Sequence, residues 1–129
     1  MELREKRIKD FTDLEVWQIG KDIVRQNYEL TSHFPKEEIF GIASQIKRAA
    51  LSIPANIAEG FGRFHFPDKA RFYINARGSL YELKSHLLIS EHLGFASGGQ
   101  IQDIIKIVDE LSVKLNNLIN RTRTLNHER

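Results

Sequence analysis

The sequence predicts an all-α chain folded as an antiparallel up-down-up-down four-helix bundle. Apolar residues recur at spacings of three and four in four separate stretches, alternating β-branched runs are absent, and the links between stretches are short. Short links between long helices favour antiparallel neighbours. With 129 residues and 41% hydrophobic content, the chain suits one domain, residues 1–129, and is too short for two.

The expected helices span about 13–33, 36–61, 67–93 and 99–124. Thr12-Asp-Leu-Glu15 reads as a capping box, with Phe11 and Val16 as its staple. Leu14, Trp17, Val24, Tyr28 and Thr31 form the expected inner face of the first helix, Gly20 leaves a point of close approach, and Pro35 stops the helix near His33. The second helix starts near Pro35, with Glu37 and Glu38 placed against its dipole, and Ile42, Ile46, Ala49, Ile53 and Ile57 face the core. Pro54 lies inside that helix and removes one backbone bond, so a kink is expected there. A break is not, because the apolar stripe keeps its phase across the proline.

Gly60-Phe-Gly62 opens an expected glycine- and aromatic-rich connection, and Pro67-Asp68 restarts the chain as the third helix. Phe72, Ala76, Leu80, Leu83 and Leu87 set its core stripe, and Gly94 is the expected left-handed terminator, with Phe95 folding back. Ser97-Gly-Gly-Gln100 forms a second capping box. It opens a helix whose core positions are Ile101, Ile104, Val108, Leu111, Leu115, Leu118 and Thr122.

Beside the apolar stripe of the second helix runs a polar one: Gln45, Arg48, Ser52, Asn56 and Glu59, again at spacings of three and four. Ser79 and Glu82 stand in the matching position on the third helix. Such groups need partners if buried, since each unsatisfied one costs roughly 1–3 kcal/mol. They can bond across the second and third helices, for instance Arg48 or Asn56 with Glu82 or Ser79. They can bond across a subunit boundary, or they can face water.

Composition excludes several classes of function. No run approaches the roughly 18 apolar residues of a membrane span, and Met-Glu-Leu-Arg-Glu-Lys-Arg lacks the apolar core of a signal peptide. A cytoplasmic protein without a membrane partner is expected. The absence of cysteine removes disulfides, thiolate metal ligands and cysteine nucleophiles. Histidines at 33, 65, 86, 92 and 127 lack the paired Glu-x-x-His motifs of a di-iron bundle. Ser52 and Ser79 have no expected His and acid partners. Gly60-Phe-Gly62 lacks both the strand and the lysine of a phosphate-binding loop. No enzyme, metal or cofactor is therefore expected.

Charge is uneven. Residues 45–77 hold Lys47, Arg48, Arg63, Lys69, Arg71 and Arg77 against Glu59 and Asp68, a net +4 in a chain of net +2. Further cations sit at the two ends, Arg4, Lys6, Arg7 and Lys9 at one and Arg121, Arg123 and Arg129 at the other. Lys47, Arg63, Lys69, Arg71 and Arg77 are the candidate contacts to RNA or DNA, because phosphate backbones attract clustered cations whatever the sequence. Phe61, Phe64, His65, Phe66, Phe72 and Tyr73 interleave with them and can stack on bases. The alternative is that these aromatics plug the bundle end or a subunit interface while the cations face water.

Three segments carry a resemblance: Phe11 to Trp17 (FTDLEVW), Ser44 to Arg63 (SQIKRAALSIPANIAEGFGR) and Ala76 to Leu83 (ARGSLYEL). They resemble the four-helix-bundle proteins encoded by intervening sequences in bacterial 23S ribosomal RNA genes. Tyr81 departs from the small or polar residue expected before Glu-Leu. The resemblance implies a left-handed bundle assembling into a homo-oligomeric ring, expected to be a pentamer, with a basic surface for nucleic acid, and it brings no known catalytic activity. The expected function is thus a non-enzymatic ring-forming bundle that binds RNA or DNA through its basic clusters. The alternative is an oligomeric protein-interaction scaffold without nucleic-acid binding.

Overall fold

Four helices account for most of the chain in the computed structural model, which describes residues 7–127. They are α1 (Glu15–Thr31), α2 (Ile42–Gly62), α3 (Phe66–His92) and α4 (Gly98–His127). Arg4, Lys6 and Arg129 lie outside the described residues.

The connection from α3 to α4 follows its local chemistry as expected. Gly94 adopts φ +81°, and the Phe95 and Gly94 amides donate to the Ser90 and Glu91 carbonyls at 2.9 and 3.0 Å, closing a Schellman motif. Phe95 then packs on Phe34 at the end of α1, ring centroids 5.6 Å apart. Three residues on, the Ser97 amide donates to Gln100 Oε1 at 3.0 Å and the Gln100 amide to Ser97 Oγ at 3.2 Å. This is the reciprocal capping box expected there.

The first half departs from expectation at both helix starts. The Thr12 capping box does not form. A 3₁₀ turn over Phe11–Asp13 precedes α1 instead, and the Asp13 carboxylate accepts from the Lys9 and Asp10 amides at 2.9 and 3.1 Å. An aspartate two residues earlier thus takes the role assigned to Glu15. Phe11 meets Trp17 edge-on, at 5.3 Å between centroids. Helix α2 begins at Ile42 and not near Pro35, because Lys36–Glu38 forms a separate 3₁₀ turn and Gly41 breaks the helical path with φ −107° and ψ −121°. Beyond that start, α2 runs unbroken through Pro54 to Gly62.

Three inner faces rotate slightly from those expected. In α1 the buried positions are Val16, Gly20, Ile23, Asn27, Leu30 and Thr31, while Leu14, Trp17 and Val24 are half-buried and Tyr28 is exposed. The amphipathic Trp17 and Tyr28 keep cations over their rings at the rim, Lys21 at 5.5 Å and Lys47 at 5.1 Å. In α3, Tyr73 takes the buried place expected for Phe72, and in α4, Ile119 takes that of Leu118. The α2 stripe holds its phase, although Ile42 at its first turn is only half-buried.

Sequence neighbours pack side by side and α4 closes on α1, whereas the diagonal pairs make no close backbone approach among the described residues. Every seam runs antiparallel. Lys47 meets Tyr28 across α1 and α2, Arg48 meets Glu82 across α2 and α3, and Lys84 and Arg77 meet Asp109 and Asn116 across α3 and α4. Lys114 reaches Glu15 at 3.3 Å across α4 and α1. Consequently the start of α1, the connection from α2 to α3, and the end of α4 share one end of the bundle.

Two glycines test this packing in opposite directions. A methyl at Gly20 would lie 3.5 Å from Ile53 and Pro54, an ordinary contact. Gly20→Ala should therefore gain about 0.5–1 kcal/mol from helix propensity, read by chemical denaturation. A methyl at Gly60 would fall 2.7 Å from Tyr73 Cε1 and 3.1 Å from the Lys69 carbonyl. Gly60→Ala should cost about 1–3 kcal/mol in the same assay.

Candidate functional site

The candidate polar residues divide by depth. Ser52 Oγ lies 2.6 Å from Ser79 Oγ and 2.8 Å from the Ala49 carbonyl, and Asn56 Nδ2 donates to the Ser52 carbonyl at 2.8 Å. These three are half-buried in the α2 and α3 seam. Arg48 donates to Gln45 Oε1 at 3.1 and 3.0 Å through Nε and Nη2, and pairs with Glu82. Glu59 pairs with Arg63 at 2.6 Å. Gln45, Arg48 and Glu59 are exposed in the single chain, so burial of the whole stripe does not arise within one bundle. Helical periodicity set the neighbours correctly but could not set depth, because the seam opens outward at its ends.

Glu82 joins three groups. Its carboxylate pairs with Arg48 and lies 3.2 Å from His86 Nε2. Burial pushes its carboxyl upward, but hydrogen bonds from His86 and Arg48, with their positive charge, outweigh that and hold it below the ordinary carboxylate range.

The five candidate cations do not form one patch. Lys47 lies over Tyr28 in the α1 and α2 groove, at the far end from the α2 to α3 connection. Arg77 donates to Asn116 at 2.8 Å in the α3 and α4 seam, eleven residues into α3 and so about 16 Å from its start. Lys69 is occupied by backbone: its Nζ donates to the Phe61 carbonyl at 2.7 Å and approaches that of Gly60 at 3.5 Å, capping α2. Burial lowers its pKa.

Arg63 and Arg71 do meet. Both guanidinium groups lie over the Phe72 ring, at 4.6 and 4.5 Å from its centroid. Phe72 thus leaves the core to serve as a platform for two cations, which explains why Tyr73 replaces it inside. Phe64, next to Arg63 in the chain, is 78% exposed, with its ring edge-on to His65 at 5.0 Å.

The antiparallel topology adds cations that local sequence did not connect. Arg7 and Lys9 precede α1, and Arg121 and Arg123 stand near the end of α4. All belong to the end that carries Arg63 and Arg71. Residues 7–18, 56–74 and 112–127, the half at this end, hold eight cations against five carboxylates, whereas 19–55 and 75–111 hold eight against nine. The described bundle is electrically polarised along its axis. Arg71 and Arg123 line one cleft of about 370 Å³ with Phe66, Pro67, Ala70, Ile74 and Asn75.

The fold and the motif-bearing stretches match a family model described as 23S rRNA-intervening sequence protein over residues 12–117. The chain belongs to the 23S rRNA-intervening sequence protein family. A protein of unknown function from the S23 ribosomal protein family of Bacteroides thetaiotaomicron has a similar solved structure. Its TM-score is 0.73 at 20% identity, covering 81% of this chain and 97% of that one, a likeness of fold. No curated protein matches. Membership of the intervening-sequence protein family thus brings a fold and no indicated enzymatic activity. Among the described residues, no three His, Asp or Glu side chains gather as metal ligands, and no helix is long and apolar enough to cross a membrane.

Glu82 gives a pH test with a defined sign. A carboxyl whose folded pKa is depressed contributes stability present above its unfolded pKa, near the ordinary value of 4.5, and lost as pH falls through the lower folded value. Acidification below that value should therefore lower the melting temperature of the native chain more than that of Glu82→Gln, measured by circular dichroism from pH 6 to pH 3.

Proposed function

We propose that this protein is a non-enzymatic, self-associating helical bundle that binds RNA or DNA electrostatically at one end. The observation that carries the reading is the convergence there of cations from three separate stretches, Arg7 and Lys9, Arg63 and Arg71, and Arg121 and Arg123. Clustered cations attract phosphates and release their counterions, whatever the base sequence. Phe64, exposed between Arg63 and Arg71 in sequence, offers a ring on which a base can stack. Lys69 adds charge, but its ammonium is engaged by the end of α2, and Lys47 and Arg77 stand apart from this surface.

Self-association rests on α3, which is apolar on two sides. Its inner face fills the core, while Tyr81, Leu88, Ile89 and Leu93 are 44–59% exposed on the outside. Tyr81, Ser85, Leu88, Ile89 and His92 line a shallow depression of about 410 Å³ there, and Phe40 at the other connection of that half is 96% exposed. Apolar area of this kind marks contact surfaces. A homo-oligomeric ring, with five subunits as the form the family resemblance implies, would cover it. The outer ends of the polar stripe, Gln45, Arg48 and Glu59, remain available to fix register. The same face also supports the second reading, a scaffold that presents its ring to a protein partner.

Fluorescence anisotropy with structured RNA at rising salt tests the binding reading. Affinity should fall steeply with salt, and joint neutralisation of Arg63, Arg71 and Arg123 to Gln should flatten the slope by up to about three charges. Absence of affinity at low salt, or an unchanged slope, would refute it. Light scattering tests assembly: the native chain should exceed monomer mass at micromolar concentration and Tyr81→Glu with Ile89→Glu should return it toward monomer, whereas a monomeric native chain would refute self-association.

A further inference from the structure

Helix α2 has two glycines in its last turn, Gly60 and Gly62, yet neither closes it with a left-handed turn. Among the described residues Gly94 alone has a positive φ, so the motif that ends α3 has no counterpart at the end of α2. The last carbonyls of a helix lack partners within it and need other donors. Here the Gly60 carbonyl accepts from the Arg63 amide at 3.2 Å. The Phe61 carbonyl accepts from the Lys69 ammonium, eight residues on, at 2.7 Å.

Lys69 holds both sides of the connection. Its amide donates to the His65 carbonyl at 3.0 Å, in the first turn of α3. Its ammonium bonds the Phe61 carbonyl and lies 5.5 Å from the centre of the Phe61 ring. Its own carbonyl would stand 3.1 Å from a methyl at Gly60, so the two backbones are already close there. One residue thus ties the end of α2 to the start of α3 across only Arg63, Phe64 and His65. Arg63 sends its guanidinium over Phe72, 4.6 Å from the ring centroid, and Phe64 is 78% exposed.

Two roles are open to such a lysine. As a phosphate contact its ammonium would have to turn outward, which strips the Phe61 carbonyl of its donor and leaves the end of α2 uncapped. As a clamp it stays where the structure places it and orders the connection before any ligand arrives. Each backbone residue already ordered is worth about tenfold in affinity, because binding does not then have to fix it.

We propose that Lys69 is a positioning residue: its bond to the Phe61 carbonyl fixes the path of the connection and so presents Arg63 and Phe64 to nucleic acid in one arrangement, while Lys69 itself takes no phosphate. The proposal rests on the nucleic-acid reading above and goes beyond it by separating the cation that shapes the basic end from those that meet phosphates.

Salt dependence distinguishes the two roles. Each phosphate contact adds roughly 0.7–0.9 to the slope of affinity against salt, whereas ordering of the connection shifts affinity at an unchanged slope. In fluorescence anisotropy with structured RNA, Lys69→Met should bind about tenfold more weakly with the native slope. Arg63→Gln should instead lower the slope by about one charge. In the free protein, amide hydrogen exchange at Arg63 should be faster in Lys69→Met than in the native chain. Lys69→Arg keeps donors for the carbonyl and should retain native exchange at Arg63 and near-native affinity. Circular dichroism checks that each variant folds. A slope lower by about one charge in Lys69→Met, with native exchange at Arg63, would overturn the proposal and make Lys69 a phosphate contact. Faster exchange without loss of affinity would overturn it too, as would loss of affinity in Lys69→Arg with native exchange. No affinity of the native chain at low salt would overturn the nucleic-acid reading and the positioning role together, and faster exchange in Lys69→Met would then leave Lys69 only as a cap of α2.

Discussion

The close antiparallel seam between α2 and α3 is the constraint on which the rest of the structure depends. Gly60 lets the Tyr73 ring come closer than a Cβ would permit, 2.7 Å from where one would stand, with the Lys69 carbonyl at a tight 3.1 Å. Ser52 and Ser79 bond across the middle, and Arg48 and Glu82 pair toward the other end. Small residues bring the backbones close, and the polar contacts then select one register among those that the apolar stripes alone would allow. Once that register is set, the connection between the helices is short, Lys69 is in reach of the α2 carbonyls, and Arg63 and Arg71 converge on Phe72.

From this seam the electrical asymmetry of the bundle follows. Four antiparallel helices put the start of α1 and the end of α4 beside the α2 to α3 connection, so cations that are far apart in sequence come to the same end of the bundle. The opposite end has almost balanced charge but carries Phe40 and the outer apolar face of α3. Charge and exposed apolar area therefore occupy different regions of the molecule. In the proposed function one region would associate with copies of the chain and the other would meet a polyanion, and repetition of the basic end in an assembly would multiply its effective affinity.

Much of the fold was legible in the sequence because helical periodicity and capping act locally. Ser97 and Gln100, Gly94, and the unbroken phase of Ile46, Ala49, Ile53 and Ile57 were readable from short windows. The start of α1 was less so: Asp10 and Asp13 offer a capping box two residues before that of Thr12 and Glu15, and a local pattern cannot rank two overlapping caps. The inner face of α1 was misphased because Trp17 and Tyr28 look apolar yet have good reasons to stay at the rim under lysines. Within the candidate site, the pairing of Arg48 with Glu82 was visible in the stripes, whereas Ser79 meets Ser52 and not Asn56, whose amide bonds within its own helix. Grouping Lys47 and Arg77 with Arg63 was not justified, since proximity in sequence along antiparallel helices says little about proximity around the bundle. The signal for Arg123 was present in the topology itself, which places the last turns of α4 beside the first turns of α3.

The central claim is that nucleic acid meets this protein at one end of the bundle, and a binding footprint tests it most directly. Amide hydrogen exchange with and without a single-stranded RNA at low salt would locate the contact. Protection should concentrate in residues 62–75 and 119–125 and around Lys9, with little change over residues 34–41 and 93–97 at the opposite end. Protection at that opposite end, or spread evenly along all four helices, would contradict the account.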